Sequence, residues 1–273
     1  MTALIFTALA TAVALMTTPV YRASVVILIR QQSGTEGLGK SLLSQFGGLA
    51  SIAGISSGSG SGDAEAYALL QSRQIAEKFI SVNNLLPVVF NRDWDLSRNK
   101  WKKSLTEVPS SADGYKYFIK NVLKISQERK TSLVTLSMDW VDPALAANWA
   151  NLFIRQSDEF MRNRAMDESR TTIVYLDQQI KIEQSVPIRE SLFQLLEAQQ
   201  KSLVFAKTRR EFAYRVIDPA VAPQSRDMIW PKRRLTVLAG AFFGVLVGLI
   251  YIGIHVYRST SRLRSQEVNA ITP

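Results

Sequence analysis

Residues 34–41, "GTEGLGKS", fit the phosphate-loop pattern G-x-x-x-x-G-K-[ST], which is typical of nucleotide-binding sites. In such a loop, backbone N–H groups surround the phosphates and the lysine, here Lys40, contacts the outer ones. The pattern also requires a strand that runs straight into the first glycine, whereas "RQQS" separates Ile29 from Gly34. Because Gly and Ser are frequent nearby, we interpret the match as a loop without a nucleotide or any other cofactor.

Three groups of neighbouring carboxylates resemble the acid and base of a glycosidase: Asp93 with Asp95, Asp158 with Glu159, and Asp167 with Glu168. A glycosidase needs two carboxyl groups that face one sugar across a cleft. Adjacent residues on a helix point away from each other, so we predict that these carboxylates are solvated surface charges. No catalytic residue is predicted.

Other chemistry is restricted by composition. The chain has no cysteine, which excludes a thiol nucleophile, a disulfide framework and a thiolate metal site. The single histidine, His255, argues against a Ser-His-Asp triad or a His-rich metal site. The formal net charge of +10 suits an acidic polymer, anionic lipid or nucleic acid, and does not choose among them.

Residues 235–257, "LTVLAGAFFGVLVGLIYIGIHVY", contain no formally charged side chain and predict a transmembrane helix. At about 1.5 Å per residue, this stretch is long enough to cross a hydrocarbon core of roughly 30 Å. Glycines at steps of four share one face of it, where we predict close packing with another helix: Gly240, Gly244 and Gly248. Residues 258–273 form a short tail after this span.

Prolines and basic residues lead into this second span. Three prolines are expected to keep the chain extended: Pro219, Pro223 and Pro231. The last of them is followed by Lys232, Arg233 and Arg234, for which contact with lipid headgroups or with a glycan is expected. Because basic residues lie on both sides of the span, the positive-inside rule does not decide its orientation.

Residues 1–20 carry no charged side chain and predict a first transmembrane helix. The apolar run is short, so we expect that the start is truncated or misassigned. A cleaved signal peptide is the alternative, although the basic n-region of such a peptide is missing.

Residues 21–234 predict an α+β domain between the spans. "YRASVVILIR" reads as a strand, and residues 33–62 as a Gly/Ser-rich loop. A helix then begins after Asp63 as N-cap and ends at Pro87. "VLKIS" and "LVTLSMDW" predict a hairpin in which Asp139 alternates outward.

Long helices are predicted within residues 143–214. Asp142 as N-cap and Pro143 at the first helical position indicate a strong helix start. The apolar spacing predicts a helix over 143–183, an interruption at Pro187 and a second helix from Ile188 towards 214. Narrow apolar stripes predict coiled-coil-like packing with each other or with partner chains. "YRVIDPAVAP" predicts a final strand, and the first and last strands place a small sheet near the membrane.

Four segments together resemble the Wzz-type chain-length determinants, also called polysaccharide co-polymerases: "PVYRASVVILI", "LLQSRQIAEKFI", "DPALAANWANLFI" and "VIDPAVAPQSRDMIWPKRRLTVLAGAFFGVLVG". "VPIRESLFQLLEAQQKSLVFAKTRREFAYRVIDPAVAP" is most similar to the branch related to kinase-coupled exopolysaccharide proteins. The resemblance implies a two-pass bacterial inner-membrane protein with a periplasmic domain, ring-like homo-oligomers and no catalytic activity. It also implies control of polysaccharide chain length together with a Wzy-type polymerase and the growing glycan.

Two departures from the family pattern matter. Residues 1–20 include no N-terminal cytoplasmic tail, in line with the expected truncated or misassigned start, and residues 258–273 are too short for a kinase domain, so we expect any tyrosine kinase to be a separate chain. We expect no nucleic-acid partner. The alternatives are a polysaccharide export component that bridges to an outer-membrane channel, and a periplasmic adaptor of an efflux system.

Overall fold

The computed structural model describes residues 11, 16–30, 61–102, 108–128, 130–231 and 238–247. The chain divides into two compact units. The larger unit comprises Ala23–Asp139 and Ala144–Ala222, and the smaller one comprises Met1–Arg22, Trp140–Pro143 and Pro223–Pro273. Helices and strands are both present in the larger unit, in agreement with the predicted α+β class.

The sheet of the larger unit has the strand order β4-β5-β1-β6. Strand β1 (Val20–Ile29) follows the predicted alternation, because Ala23, Val25, Ile27 and Ile29 are buried while their neighbours are more accessible. Strand β6 (Tyr214–Asp218) pairs with β1 in antiparallel fashion, with Ile29 opposite Tyr214. The first and last predicted strands are therefore neighbours. In the smaller unit, the start of β1 pairs with the short strand β7 (Met228–Trp230).

Strands β4 (Leu123–Gln127) and β5 (Leu133–Trp140) form the predicted antiparallel hairpin. Val134, Leu136 and Met138 are fully buried, as the alternation predicted. The prediction that Asp139 faces outward was wrong, because Asp139 is 7% exposed and Ser137 is buried as well. β5 lies between β4 and β1 in the sheet. Four successive residues of it, Leu136–Asp139, are buried, so both faces of the sheet are covered along this stretch.

The structure describes four short helices between β1 and β4: α1 (Ser61–Leu70), α2 (Arg73–Val82), α3 (Leu86–Val89) and α4 (Ser111–Tyr117). The single helix predicted from Asp63 to Pro87 is divided, because Ser72 accepts a hydrogen bond from the backbone of Ile75 and caps α2. Pro87 stands in the first turn of α3, where a missing N–H group has no consequence. A π-helical turn, Phe118–Val122, extends α4 towards β4.

Two further strands, β2 (Trp94–Asp95) and β3 (Lys100–Trp101), form a small separate sheet between α3 and α4. They pair in antiparallel fashion, with Trp94 opposite Trp101.

The long helix α5 spans Pro143–Ile182, close to the predicted 143–183. Its 40 residues extend about 60 Å at about 1.5 Å per residue. Helix α6 begins at Val186, with Pro187 in its first turn, and ends at Thr208. The second helix is thus shorter than predicted, because residues 209–213 leave the helix before β6 begins.

A cluster of phenylalanine rings joins α5 to the short helices. Phe79 of α2 lies 5.1 Å from Phe153 of α5 and 5.6 Å from Phe118, measured between ring centroids. All three side chains are almost completely buried. These tilted and edge-to-face contacts form the centre of the hydrophobic core in the larger unit.

Within the described part of the chain, no helix has the length and apolar character needed to cross a bilayer. Most of the predicted spans 1–20 and 235–257 lies outside that part, although residues 238–247 are helical. The two-span prediction therefore stays a prediction.

Candidate functional site

The structure describes only some of the candidate sites that the sequence suggested. The glycine loop with Lys40 lies outside the described residues, and so does the surrounding range 33–60. Asp167 and Glu168 are exposed on α5, where they pair with Arg170 and Arg164. Asp95 supports the loop between β2 and β3 through its own hydrogen bonds.

Asp158 is the exception to the predicted solvated charges. It is 7% exposed, and its Oδ1 accepts hydrogen bonds from three consecutive backbone N–H groups, those of residues 212–214. The shortest of these contacts is 2.7 Å, from the nitrogen of Ala213. Successive N–H groups that converge on one oxygen form a binding concavity for an anion, and here the anion is a side chain of the same protein.

Arg162, one helical turn after Asp158, completes this junction. Its Nη2 lies 2.9 Å from Oδ2 of Asp158 and 2.6 Å from the backbone oxygen of Arg210. The guanidinium therefore binds both the carboxylate and the segment that returns from α6. We name the arrangement of Asp158, Arg162 and residues 210–214 the carboxylate junction.

Tyr214 begins β6 at the carboxylate junction and is almost completely buried. Its hydroxyl donates a 2.8 Å hydrogen bond to the backbone oxygen of Ala66 in α1. Burial raises the pKa of the Tyr214 phenol far above its ordinary value, and the negative charge of Asp158 contributes to this rise. The phenol is therefore a neutral hydrogen-bond donor at physiological pH.

The carboxylate junction also shows how α5 and α6 are arranged. Arg162 contacts residue 210, and only Glu183–Ser185 separate the two helices, so α6 returns along the outer half of α5. We call this pair the helical hairpin. Its seam contains small or apolar residues that are buried: Ser169, Leu176, Ala198 and Ala206. Small side chains allow two helix backbones to approach closely.

The outer surface of the helical hairpin carries many exposed apolar side chains. Nine of them are between 40% and 70% exposed: Val174, Tyr175, Ile182, Val186, Ile188, Phe193, Leu195, Val204 and Phe205. Ile188 and Leu195 are thus at least 40% exposed, whereas Ala206 of the same helix is buried. Isolated exposed apolar residues are ordinary, but a set of this size on two adjacent helices is typical of a protein–protein contact.

The proline segment is attached to α5 by a side chain that the sequence analysis did not single out. Asn151 donates from Nδ2 to the backbone oxygen of Ala220 at 2.8 Å and accepts from its nitrogen at 2.9 Å. Pro219 is exposed beside this contact. In the smaller unit, Pro223 is half-buried and Pro231 is buried. An asparagine that satisfies both backbone groups of one residue holds an extended segment in a fixed register.

The residues predicted for helix packing are described in part. Gly240 and Gly244 belong to the helical residues 238–247, and Gly244 is buried there. Gly248 and the basic residues Lys232, Arg233 and Arg234 lie outside the described residues. Their predicted roles are not tested. Among the described residues, no cluster of three or more His, Asp or Glu side chains could hold a metal ion.

A comparison with protein-family sequence models finds one for Wzz, described as "Chain length determinant protein", over residues 1–82. Residues 1–82 are thus similar to the Wzz family. The matched segment includes β1, α1 and α2, and it agrees with the resemblance seen in "PVYRASVVILI" and "LLQSRQIAEKFI". No curated protein sequence matches the chain.

Solved structures similar to this chain include a full-length bacterial polysaccharide co-polymerase, with 13% identity, a TM-score of 0.39 and 94% of each chain covered. Another is a fragment of WzzB, a polysaccharide co-polymerase from Salmonella Typhimurium. It has 14% identity and a TM-score of 0.37, and the match covers 76% of this chain and 98% of the fragment.

A third similar structure is a variant of the lipopolysaccharide O-antigen chain-length regulator of Shigella flexneri. It has 11% identity and a TM-score of 0.26, with 75% of this chain and 98% of that one covered. TM-scores in this range are too low to establish a shared fold by themselves.

Proposed function

We propose that this protein is a non-enzymatic inner-membrane scaffold that regulates chain length in the biosynthesis of lipopolysaccharide O-antigen, capsule or exopolysaccharide. The observation that carries the proposal is the match of residues 1–82 to chain length determinant proteins. The partners we propose are further copies of the chain, a Wzy-type polymerase and the growing polysaccharide. We also propose a separate tyrosine kinase or an outer-membrane export protein as a partner.

The burial and the hydrogen bonds of Asp158 favour a scaffold over a glycosidase. A catalytic acid or base must reach substrate and exchange a proton with it. Both oxygens of Asp158 are engaged by backbone N–H groups and Arg162, and the residue is buried. This carboxylate therefore has a structural role, which is to attach the helical hairpin to the sheet.

The exposed apolar side chains of the helical hairpin support assembly of several copies. Residues such as Phe193, Val204 and Phe205 contact water in a single chain. Burying them against another copy would contribute about 25 cal/mol for each Å² of apolar surface removed from water. The homo-oligomer we propose forms along these helices.

The membrane placement we propose uses the two predicted spans, 1–20 and 235–257, with 21–234 as the periplasmic domain and 258–273 as the cytoplasmic tail. The absence of charge over residues 235–257 supports the second span. The basic residues Lys232, Arg233 and Arg234 would lie at the headgroups beside it.

Export is the second candidate function, and a gel ladder of surface polysaccharide distinguishes it from length control. A deletion strain is compared with the same strain complemented by the wild-type chain. If the modal length disappears while polymer remains at the surface, length control is supported. Polymer trapped inside the cell would favour export, and an unchanged ladder would contradict both functions.

A further inference from the structure

The strands β2 and β3 and their flanking residues, 92–102, form a unit that the proposed function does not use; we name it the tryptophan hairpin. Trp94 and Trp101 pair across the strands, and their rings meet edge to face with centroids 4.9 Å apart. In the connecting loop, Oδ1 of Asp95 accepts hydrogen bonds from the backbone N–H groups of Ser97 and Arg98. These contacts give the loop a defined conformation without help from the rest of the protein.

The tip of the tryptophan hairpin exposes a large apolar side chain. Leu96 is 86% exposed, more than any other large apolar residue described in the larger unit. Both tryptophans are only half-buried, although they contact each other. A leucine and two partly accessible indoles on one small hairpin form a surface that gains free energy when it leaves water.

The same hairpin carries an excess of positive charge. Its cationic side chains are Arg92, Arg98, Lys100 and Lys102, against the carboxylates of Asp93 and Asp95, so four minus two leaves a net charge of +2. The Asp95 carboxylate is occupied by the loop backbone, and Arg98 lies 3.9 Å from it while remaining 76% exposed. The charge of the tip is therefore complementary to an anionic surface.

We infer that the tryptophan hairpin docks on an anionic lipid surface. Leu96 enters the boundary between headgroups and acyl chains, the two indoles lie at headgroup level, and Arg98 and Lys100 bind lipid phosphates. An acidic glycan would suit the cations and the indoles, but it offers no apolar environment for Leu96. This docking is not part of the proposed function. It rests on that function in one respect, because the proposed membrane placement holds the full chain at a membrane.

Because the chain contains no cysteine, a Leu96→Cys variant carries a single nitroxide label. The full-length variant is reconstituted into vesicles of phosphatidylcholine, with or without phosphatidylglycerol. Paramagnetic resonance then compares collisions of the label with oxygen, which concentrates in lipid, and with an aqueous nickel complex. A Val82→Cys variant provides the control, since Val82 is 62% exposed on α2 and lies outside the hairpin.

In anionic vesicles we expect the label at position 96 to be accessible to oxygen and protected from nickel, while the label at position 82 stays accessible to nickel. Replacing Arg98 and Lys100 by Gln should lower the ratio of inserted to water-exposed hairpin about 25-fold, since each basic residue contributes about fivefold. A label equally exposed to water in both kinds of vesicle would overturn the inference. The inference would also be overturned if the label at position 96 were protected from nickel only after an acidic polysaccharide is added.

A second measurement, of tryptophan fluorescence, uses chains in which Leu96 is unchanged. Brominated lipid should quench part of the intrinsic tryptophan fluorescence, and the Trp94→Phe, Trp101→Phe double variant should lose that part. Equal quenching of the wild type and the double variant would argue against docking. Flotation of the chain with neutral vesicles tests the predicted spans separately. A chain that floats without insertion of the tryptophan hairpin would contradict the docking alone, whereas a chain that does not float would contradict the membrane placement.

Discussion

Oδ1 of Asp158 lies 2.7 Å from the backbone nitrogen of Ala213, although the two residues are 55 positions apart in the chain. This contact ties the middle of α5 to the residue that precedes β6. The helical hairpin extends from the sheet at this point, so its direction depends on the carboxylate junction.

Replacing Asp158 by Ala is expected to lower the free energy of unfolding by about 3–5 kcal/mol, because three buried N–H groups and Arg162 lose their partner. Denaturant unfolding of the full chain, followed by circular dichroism, measures the change. The control is Glu159→Ala at the exposed neighbouring position, for which we expect a change within about 0.5 kcal/mol. Equal effects of the two variants would show that the carboxylate junction is not a stabilising contact.

Tyr214→Phe removes the hydroxyl that donates to the backbone oxygen of Ala66. We expect a loss of about 1–2 kcal/mol at neutral pH, since the buried carbonyl loses its partner. Tyr175→Phe, at a position 60% exposed, should leave stability unchanged. Thermal melts of the three proteins in the same detergent test this, and indistinguishable melting temperatures would contradict it.

The raised pKa of Tyr214 also predicts a pH dependence. The unfolded chain releases the phenol proton near pH 10, where the folded protein still retains it. The stability associated with the neutral phenol is therefore complete below about pH 10 and declines as pH rises above that value. The alkaline decline should be smaller in Tyr214→Phe than in the wild type, and parallel pH profiles would argue against this assignment.

Phe193→Arg places a charge among the exposed apolar residues of the helical hairpin, where Phe193 is 52% exposed. We expect smaller assemblies on size-exclusion chromatography with light scattering, and a broader polysaccharide ladder, because the charge would be buried between copies. Val82→Arg changes a residue that is 62% exposed and lies outside the helical hairpin, and this variant should keep the wild-type size. If Phe193→Arg also keeps it, copies do not associate along this surface.

Gly244→Leu tests helix packing through the second predicted span. Gly244 is buried within the helical residues 238–247, and a leucine there would keep another helix at a greater distance. The expected result is a loss of oligomer size in detergent. Val245→Leu adds volume at an exposed neighbouring position and should have no effect. An unchanged oligomer in Gly244→Leu would argue against glycine-mediated packing.

Lys40→Ala tests the interpretation of "GTEGLGKS" as a loop. A phosphate loop depends on its lysine, so loss of the side chain would abolish any nucleotide-dependent step. We expect the variant to restore the wild-type ladder in the deletion strain. Failure to do so, with the protein present and assembled, would indicate a nucleotide site.

Local signals in the sequence were sufficient for much of the fold. Alternation in β1 and β5, and the Asp142–Pro143 pair at the start of α5, depend on neighbours within a few residues. Such neighbours are visible in the chain itself. The resemblance to the Wzz-type family was likewise evident from contiguous segments, one of which lies at residues 19–29.

The break between α1 and α2 was missed because the apolar spacing continues through Ser72, while its capping contact with Ile75 breaks the helix. A serine that precedes a helical pattern within an apolar run is a weak signal, because serine also occurs inside helices.

The sequence by itself indicated most element types, predicted two spans and carried the resemblance to the Wzz-type family. Only the tertiary structure decided which charges are buried. Asp158 looked like a surface carboxylate, since it adjoins a second carboxylate, Glu159, in a helical pattern and its partners at residues 212–214 lie more than fifty positions away. Its one local indication was Arg162 at the next helical turn. Backbone N–H groups occur at nearly every residue, so no pattern of residue types reveals which of them a distant carboxylate will meet.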